Sequence, residues 1–568
     1  MTWDSFRLSE TLAQLRAFGD DTTLVECKTA KGGIPADIGE TLCAFANMPQ
    51  TGSILLGVSE SLGFVVTGVD DPSQMEKSVV NVNRNSVDPA PQLHISHLAV
   101  DGKAVVAIDV MPLLPQEKPA RYQKNAYLRQ ADGDYVMNSN DLRMLSISAL
   151  NEPERVDYDF APLPSTGIEL LDQSALEEYL KTIRSSRSRL ANISDHQQLL
   201  QMTNVCDTNG NLRLGGLYAL GYLPQAFDPA LGATAAVRLT RDGRKGRNQN
   251  LVELEGPLPA MLEAGMAWVQ QNTTITSRYN DHGHLVDTPE FPPSAIREVL
   301  ANALVHRDLG PSLEVGKKVE IRVTERSLVV SNPGGLRGVT RDQLLSSSLT
   351  KAPVNKRLYE IARYLRMPDG QRVIEGEGGG IQEILTVTRE ARLPEPRFID
   401  TGVEFKVIFP RGSRFSEEDE AWLSSLSDSL TPTEEDLLVT LRTSGPMSIG
   451  RLGLRYVPMS QNACVAMVDK LESLGVVSLV DDIVALADGA TGDHPSIQDL
   501  SSLGVNVPAL FEALSSLGDS TVHQLSEYTG LSVGQVRYAL DPLITQGYAK
   551  MNGGQGSRRT TYSLTTRV

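Results

Sequence analysis

The segment SAIREVLANALVHRDL, Ser294 to Leu309, spaces an acid, an amide and an imidazole every four residues: Glu298, Asn302 and His306. In a helix those side chains stack along one face. Ile296, Val299, Leu300, Ala303 and Leu304 recur at three- and four-residue steps, which predicts a buried flank beside it. Two glycine turns follow: NPGGL, with Gly334 and Gly335, and EGEGGGI, with Gly376, Gly378 and Gly380. An amide and a carboxylate beside such turns suit a phosphate-bearing ligand. Magnesium takes oxygen ligands and keeps much of its water. Glycine lets backbone N–H groups approach phosphate with no Cβ in the way. A carboxylate on the same face can serve as general base toward water.

Other side chains fall into patterns that could do chemistry. In LVECK, residues two apart share a strand face, so Glu26 and Lys28 point together and Cys27 points away. Near the C-terminus, Gln535 and Arg537 fall on one predicted helix, and Lys550, Arg558 and Arg559 surround the predicted wing after it. Such a local basic group neutralises phosphates and reaches base edges. His94 with His97, and His282 with His284, lack an acid or thiol at a ligand spacing, and the four cysteines are scattered without a CxxC. Neither a zinc site nor a disulfide framework is expected.

Composition narrows the class. A chain of 568 residues is too long for one core and predicts several domains. A net charge of −17 excludes a generally basic coat for nonspecific nucleic-acid binding, while leaving room for one local basic patch. No apolar run approaches the ~20 residues of a membrane span. The opening MTWDSFRLSETLAQL lacks a basic-then-apolar signal pattern, so a cytoplasmic location is expected.

The elements that must position these residues read as multidomain α/β and α+β. Residues 1–147 form an α/β domain, with strands LVECK, SILLGV, GFVVTGV, LHISHLAV and AVVAIDVM and a helix DIGETLCAFANM. NEPERVDYDFAPLPSTG reads as a linker. Residues 166–287 read as a mixed, mainly helical spacer and 288–412 as the domain of the glycine turns. The stretch SEEDEAWLSSLSDSLTPTEED reads as an acidic linker. Residues 430–490 and 503–568 repeat an order of three helices and a hairpin, which predicts two winged helix-turn-helix domains.

Two resemblances follow from these motifs. ExxxN on a helix, NPGGL after a strand and EGEGGGI opening a helix resemble the GHKL-type ATP-binding domain, an α/β sandwich shared by histidine kinases, gyrase B and MutL. The resemblance implies ATP and magnesium (Mg2+) as cofactors, with Glu298 as general base and Asn302 as magnesium ligand. It implies Gly334 and Gly335 as the first glycine box, Gly376, Gly378 and Gly380 as the phosphate-cradling second, and a weak ATPase activity. Asn332 stands where that fold places the aspartate that reads the adenine amino group. An amide still accepts that hydrogen bond, but without charge.

The N-terminal region resembles the Schlafen-type AlbA_2 domain through LVECK, AFAN, SILLGV and GFVVTG. KPARYQKNAYLRQADGDYVMN resembles its closing segment, through Lys118, Tyr127 and Arg129. Some such domains are endoribonucleases using three acids, which implies Asp21, Glu26 and Glu60 as a divalent-metal set. Ser59 replaces one acid of the usual GVDD-like turn, and MPQTGS replaces the usual glycine pair.

The order of domains resembles a bacterial group of predicted ATP-binding transcriptional regulators across nearly the whole chain. That implies a DNA-binding homo-oligomer in which a nucleotide site and the AlbA_2 domain control winged helices. The alternative is a Schlafen-like metal-dependent endoribonuclease, cleaving tRNA or other RNA in cell defence. A scaffold whose sites bind nothing is the third reading.

Overall fold

Two strands of alternating or continuous apolar character over 93–110, and a helix apolar on nearly every face over 38–47, dictate the first sheet. The structure is a computed structural model. It describes residues 3–18, 24–100, 102–130, 133–150, 154–238, 248–279, 285–345, 352–374, 379–426, 430–456, 459–480, 482–487, 503–517, 520–529, 531–545, 549–552 and 560–564. The chain divides into two units. One comprises Met1–Glu417, Thr431–Ser444 and Gly453–Ser460, and the other comprises Glu418–Leu430, Gly445–Leu452 and Gln461–Val568.

In the larger unit the first sheet runs in the order Val25–Lys28, Gly52–Leu56, Lys103–Val110, Leu93–Val100. The first two strands are parallel, with Glu26 opposite Ile54, and parallel neighbours need a crossover. The helix Ile38–Asn47 supplies it and is buried along almost its whole length. Asn47 is fully buried and fully used: its amide nitrogen donates to Ala120 O (3.1 Å) and Tyr127 O (2.9 Å), and its oxygen accepts from Ala120 N (2.7 Å). The asparagine of AFAN is thus a pin that holds the closing segment to the helix. GFVVTGV falls short of the expected full strand, since only Val65–Val66 pairs, with Val58–Ser59.

The second sheet corrects the expected boundary at residue 287. Six strands run in the order Asn248–Leu254, Ala233–Arg238, Val319–Val323, Ser327–Pro333, Glu404–Pro410, Arg397–Asp400. Ala233–Arg238 pairs in parallel with Val319–Val323 across a long sequence gap. Residues 166–287 therefore contribute strands to the same sheet as the glycine-turn region, and one core joins Leu163 to Phe409. The helix Leu258–Asn272 lies close on that sheet at Gly265, where an added Cβ would meet Ile321 and Leu300 at 3.3 Å. The stretch expected as a linker is also tied down: Asp159 accepts the N–H groups of Arg357 (2.7 Å) and Leu358 (3.0 Å), capping the helix Lys356–Ala362.

The end of the acidic stretch, expected as a linker, is a buried helix turn instead. In the helix Pro432–Ser444, Glu434, Glu435 and Asp436 are buried. Asp436 accepts from Arg414 Nε (2.9 Å), Arg455 Nε (3.4 Å) and Tyr456 OH (2.8 Å), and Arg455 also pairs with Glu10. Burial would raise the Asp436 carboxyl, but the two guanidinium charges and the hydrogen bonds hold it down at about 2. The first helix expected for the unit at 430–490 thus belongs to the larger unit.

In the smaller unit the helix Gln461–Ser473 precedes the hairpin Val477–Val480 with Ile483–Leu486. Farther on, Val507–Leu517, Val522–Thr529 and Val533–Thr545 gather Leu510, Leu514, Leu525, Val536, Leu540 and Leu543 into one core. The hairpin Ala549–Asn552 with Thr561–Leu564 closes it. Among the described residues no helix is long and apolar enough to cross a membrane.

Candidate functional site

The helix Pro293–His306 starts on proline, whose missing N–H costs nothing in the first turn. Its buried residues include Ile296, Val299, Leu300, Ala303 and Leu304, the flank expected from the spacing. Glu298, Asn302 and His306 are half-buried on the neighbouring face. They line a cavity, partly open to solvent, with Asn332, Gly334, Gly335, Arg337, Tyr359 and Gly380. Asn302 Nδ2 donates to Glu298 Oε1 at 3.1 Å.

Gly334 and Gly380 come close to this helix and to the residues that follow it. Gly334 has φ +97°, a left-handed conformation that a side chain resists, and its absent Cβ would fall 2.9 Å from that of Asp308. An added Cβ at Gly335 would fall 2.7 Å from Asp400 Oδ1. Gly380 opens the helix Gly380–Glu390 directly against the Glu298 carboxylate. Gly376 and Gly378 lie outside the described residues.

Asn332 is buried on the strand Ser327–Pro333, and its Oδ1 has no hydrogen-bond partner among the described residues. A buried acceptor left unmade costs roughly 1–3 kcal/mol, and here it lines the cavity. The orphaned acceptor is complementary to an N–H donor on a bound base. The remaining wall is largely apolar, from Val330, Val339, Leu344, Ile374, Ile381 and Val407. Such a slot suits a flat ring with a polar edge.

His306 is held neutral: removal from water pushes its pKa down to about 4, and Nδ1 accepts the N–H of Val354 at 3.4 Å. The next two residues carry structural work that spacing did not reveal. Arg307 is fully buried and donates to the carbonyls of Ala230 (2.6 Å) and Lys317 (3.0 Å). Asp308 accepts from Arg337 Nη2 at 2.7 Å and from Ser312 N at 2.8 Å, bracing the turn behind Gly334.

In the N-terminal domain Glu26 and Lys28 share a face, as the strand period predicts. Lys28 Nζ donates to Glu26 Oε1 and to Asp37 Oδ2, both at 2.7 Å. The second Glu26 oxygen pairs with Arg129, which is buried and also meets Asp134 at 3.4 Å. Burial alone would lower the Lys28 pKa, but Asp37 and Glu26 more than offset it and the net shift is upward. Burial raises the Asp134 carboxyl, with Arg129 pulling the other way. Glu26 and Glu60 line one open cleft with Lys28, Lys31 and Asp37, while Asp21 lies outside the described residues. No cluster of three His, Cys, Asp or Glu residues able to hold a metal occurs among the described residues.

The C-terminal candidates separate. Arg537 and Lys550 are exposed. Gln535 instead forms a reciprocal cap with Ser532: its Oε1 accepts Ser532 N at 3.0 Å, and Ser532 Oγ accepts Gln535 N at 3.4 Å. Sequence reading took Gln535 for a base reader; S-x-x-Q is also the capping-box signature, and that signal was available. Tyr538, beside Arg537, is 82 % exposed. Arg558 and Arg559 lie outside the described residues.

Comparison with known proteins matches two family models. Residues 21–138 match the family "Schlafen, AlbA_2", and residues 316–409 match "Putative ATP-dependent DNA helicase recG C-terminal". The chain therefore carries an AlbA_2 domain followed by an ATPase-type domain of the RecG C-terminal kind. Among solved structures, the DIP2311 protein from Corynebacterium diphtheriae is 18% identical, with 98% of this chain and 100% of that chain covered, at a TM-score of 0.37. The N-terminal domain of a "Putative ATP-dependent DNA Helicase RecG-related Protein" from Nitrosomonas europaea is 22% identical over 24% of this chain and 97% of that one, at a TM-score of 0.19. At those TM-scores neither likeness adds to what the family models establish. No curated protein matches the chain.

Proposed function

We propose that this chain is an ATP-binding, DNA-binding regulator, in which a nucleotide held in the Glu298–Asn302 cavity biases how the protein engages DNA. The orphaned, buried Oδ1 of Asn332, at the wall of a cavity shared with Glu298, Asn302 and four glycines, carries this reading. In it, Asn332 accepts a hydrogen bond from the exocyclic amine of adenine, and Gly334, Gly335 and Gly380 leave room for backbone N–H groups to face phosphate. Gly376 and Gly378 would complete the second phosphate turn. Asn302 and Glu298 would hold magnesium, which neutralises phosphate charge when bound. Glu298 is the candidate base for a weak ATPase activity. The ATPase-type family match supports the same class of ligand.

For DNA, the support is the exposed pair Arg537 and Lys550 on a three-helix-and-hairpin unit, read as a winged helix. Arg558 and Arg559 would add phosphate contacts. A nucleotide can shift this engagement only by its differential affinity for two arrangements of the chain. A homo-oligomer would present paired half-site contacts.

Calorimetric titration of magnesium-ATP into wild type and Asn302→Ala tests the nucleotide site. Heat in the first and none in the second is expected; no heat in either overturns the reading. Anisotropy with duplex DNA at several salt concentrations tests the other half. Arg537→Ala and Lys550→Ala should each weaken binding and flatten its salt dependence.

A further inference from the structure

We propose that Asp400 is a positioning residue for the first glycine turn of the nucleotide cavity, and that Lys118 and Gln50 of the AlbA_2 domain set how firmly it holds that turn. Nucleotide affinity is then regulated from the N-terminal domain. The proposal rests on the nucleotide reading above.

Asp400 does not line the cavity, yet it sits directly behind it. Its side chain is buried, accepts Gly402 N at 2.9 Å and also accepts the N–H of Leu336. Gly335 lies so close that a Cβ there would come 2.7 Å from Asp400 Oδ1 and 2.7 Å from Gly402 Cα. Gly334 N donates to Val403 O at 3.0 Å. Residues 334–336, which line the cavity, thus rest on residues 400–403.

Residues 400–403 are in turn seated in the N-terminal domain. Val403 is part of the core that contains Phe45, Ile54 and Leu145. Gln50 Nε2 donates to Asp400 O at 3.2 Å, and its own Oε1 is buried without a hydrogen-bond partner among the described residues. Lys118 donates to Met48 O at 2.7 Å, and its charge acts on Asp400 through space. Burial pushes the Asp400 carboxyl up to about 6 and the Lys118 ammonium down to about 8, each restrained by the other's charge. Gln50 belongs to MPQTGS, which departs from the glycine pair of the AlbA_2 pattern. The departure falls where the two domains touch.

Removing the Lys118 charge favours the neutral form of Asp400, and a neutral acceptor holds the Leu336 N–H less strongly.

The test is hydrogen exchange of the nucleotide-free full chain, with magnesium-ATP calorimetry in parallel, on wild type, Lys118→Met, Lys118→Arg and Gln50→Gly. Lys118→Met should speed exchange at Gly334–Leu336, leave the Leu258–Asn272 helix unchanged and weaken ATP about fivefold or more. Lys118→Arg should restore both, and Gln50→Gly should act in the same direction as Lys118→Met, which keeps the test open should that variant fold poorly. Unchanged exchange at the glycine turn in both Lys118→Met and Gln50→Gly overturns the inference. Absence of ATP heat in wild type overturns the nucleotide reading instead, and the exchange data still judge the coupling.

Discussion

A Cβ built on Gly380 would lie 1.6 Å from Glu298 Oε1, so the start of one helix is pressed against the carboxylate of another. Gly380→Ala must therefore displace Glu298. Alanine in an ordinary helix position would favour the helix by about 1 kcal/mol. Here we expect magnesium-ATP affinity to fall at least tenfold by calorimetry, with little gain in thermal stability. Glu298→Ala beside it should release the helix gain; a Gly380→Ala protein that binds ATP normally refutes the packing claim.

Asn332→Leu separates ligand use from fold. Removing the orphaned acceptor relieves a cost of roughly 1–3 kcal/mol, so stability in urea should hold or rise. ATP binding should be lost. A variant that is both less stable and still binds ATP would show that Asn332 serves the sheet rather than a base.

Acid should act through His306. Its folded pKa, about 4, lies below its unfolded value near 6.5. The neutral ring's contribution is then complete above 6.5 and lost as pH falls through 4, up to about 3 kcal/mol in order of magnitude. Urea unfolding between pH 7 and 4 should show a steeper loss in wild type than in His306→Gln. Parallel curves would mean that His306 is not held neutral. Asp400 works the opposite way, since its raised pKa favours the folded state on acidification, and it is common to both proteins.

A lower window belongs to Asp436. Its folded pKa of about 2 lies under the ordinary carboxylate value, so its stabilisation is present above about pH 4 and lost toward pH 2. Asp436→Asn leaves Arg414 and Arg455 without their shared anion and should cost about 3–5 kcal/mol near neutrality. Wild type and variant should converge in urea as the pH approaches 2; a constant gap would point to lost packing instead.

Glu26 has both oxygens engaged by Lys28 and Arg129. Arg129→Met should therefore destabilise by about 3 kcal/mol or more, by stranding Glu26 and Asp134. Labelled tRNA with manganese should stay intact with wild type. Cleavage by wild type that Glu26→Ala abolishes would put the endoribonuclease reading first.

Local periodicity reached far in this chain. The three- and four-residue steps of Ser294–Leu309 marked both the buried flank and the polar line of Glu298, Asn302 and His306, because a helix projects its side chains by a fixed rotation. The two-residue period of LVECK set Glu26 and Lys28 side by side for the same kind of reason. Long-range pairing was not legible. Ala233–Arg238 looks like part of a spacer until Val319–Val323 lies beside it, and nothing local encodes a parallel partner that distant.

Charge misled for a related reason. Glu434–Asp436 read as the end of an acidic linker, but Arg392, Arg414 and Arg455 arrive from other segments to meet Glu435 and Asp436. Residue type and spacing were enough to nominate Glu298, Asn302 and the glycines. The convergence of Glu298, Asn302, Gly334, Gly335 and Gly380 on one cavity, and the seating of Asp400 behind it, came from chain segments far apart in sequence packing together. Such contacts depend on the path of the whole backbone, which no short window of residues records.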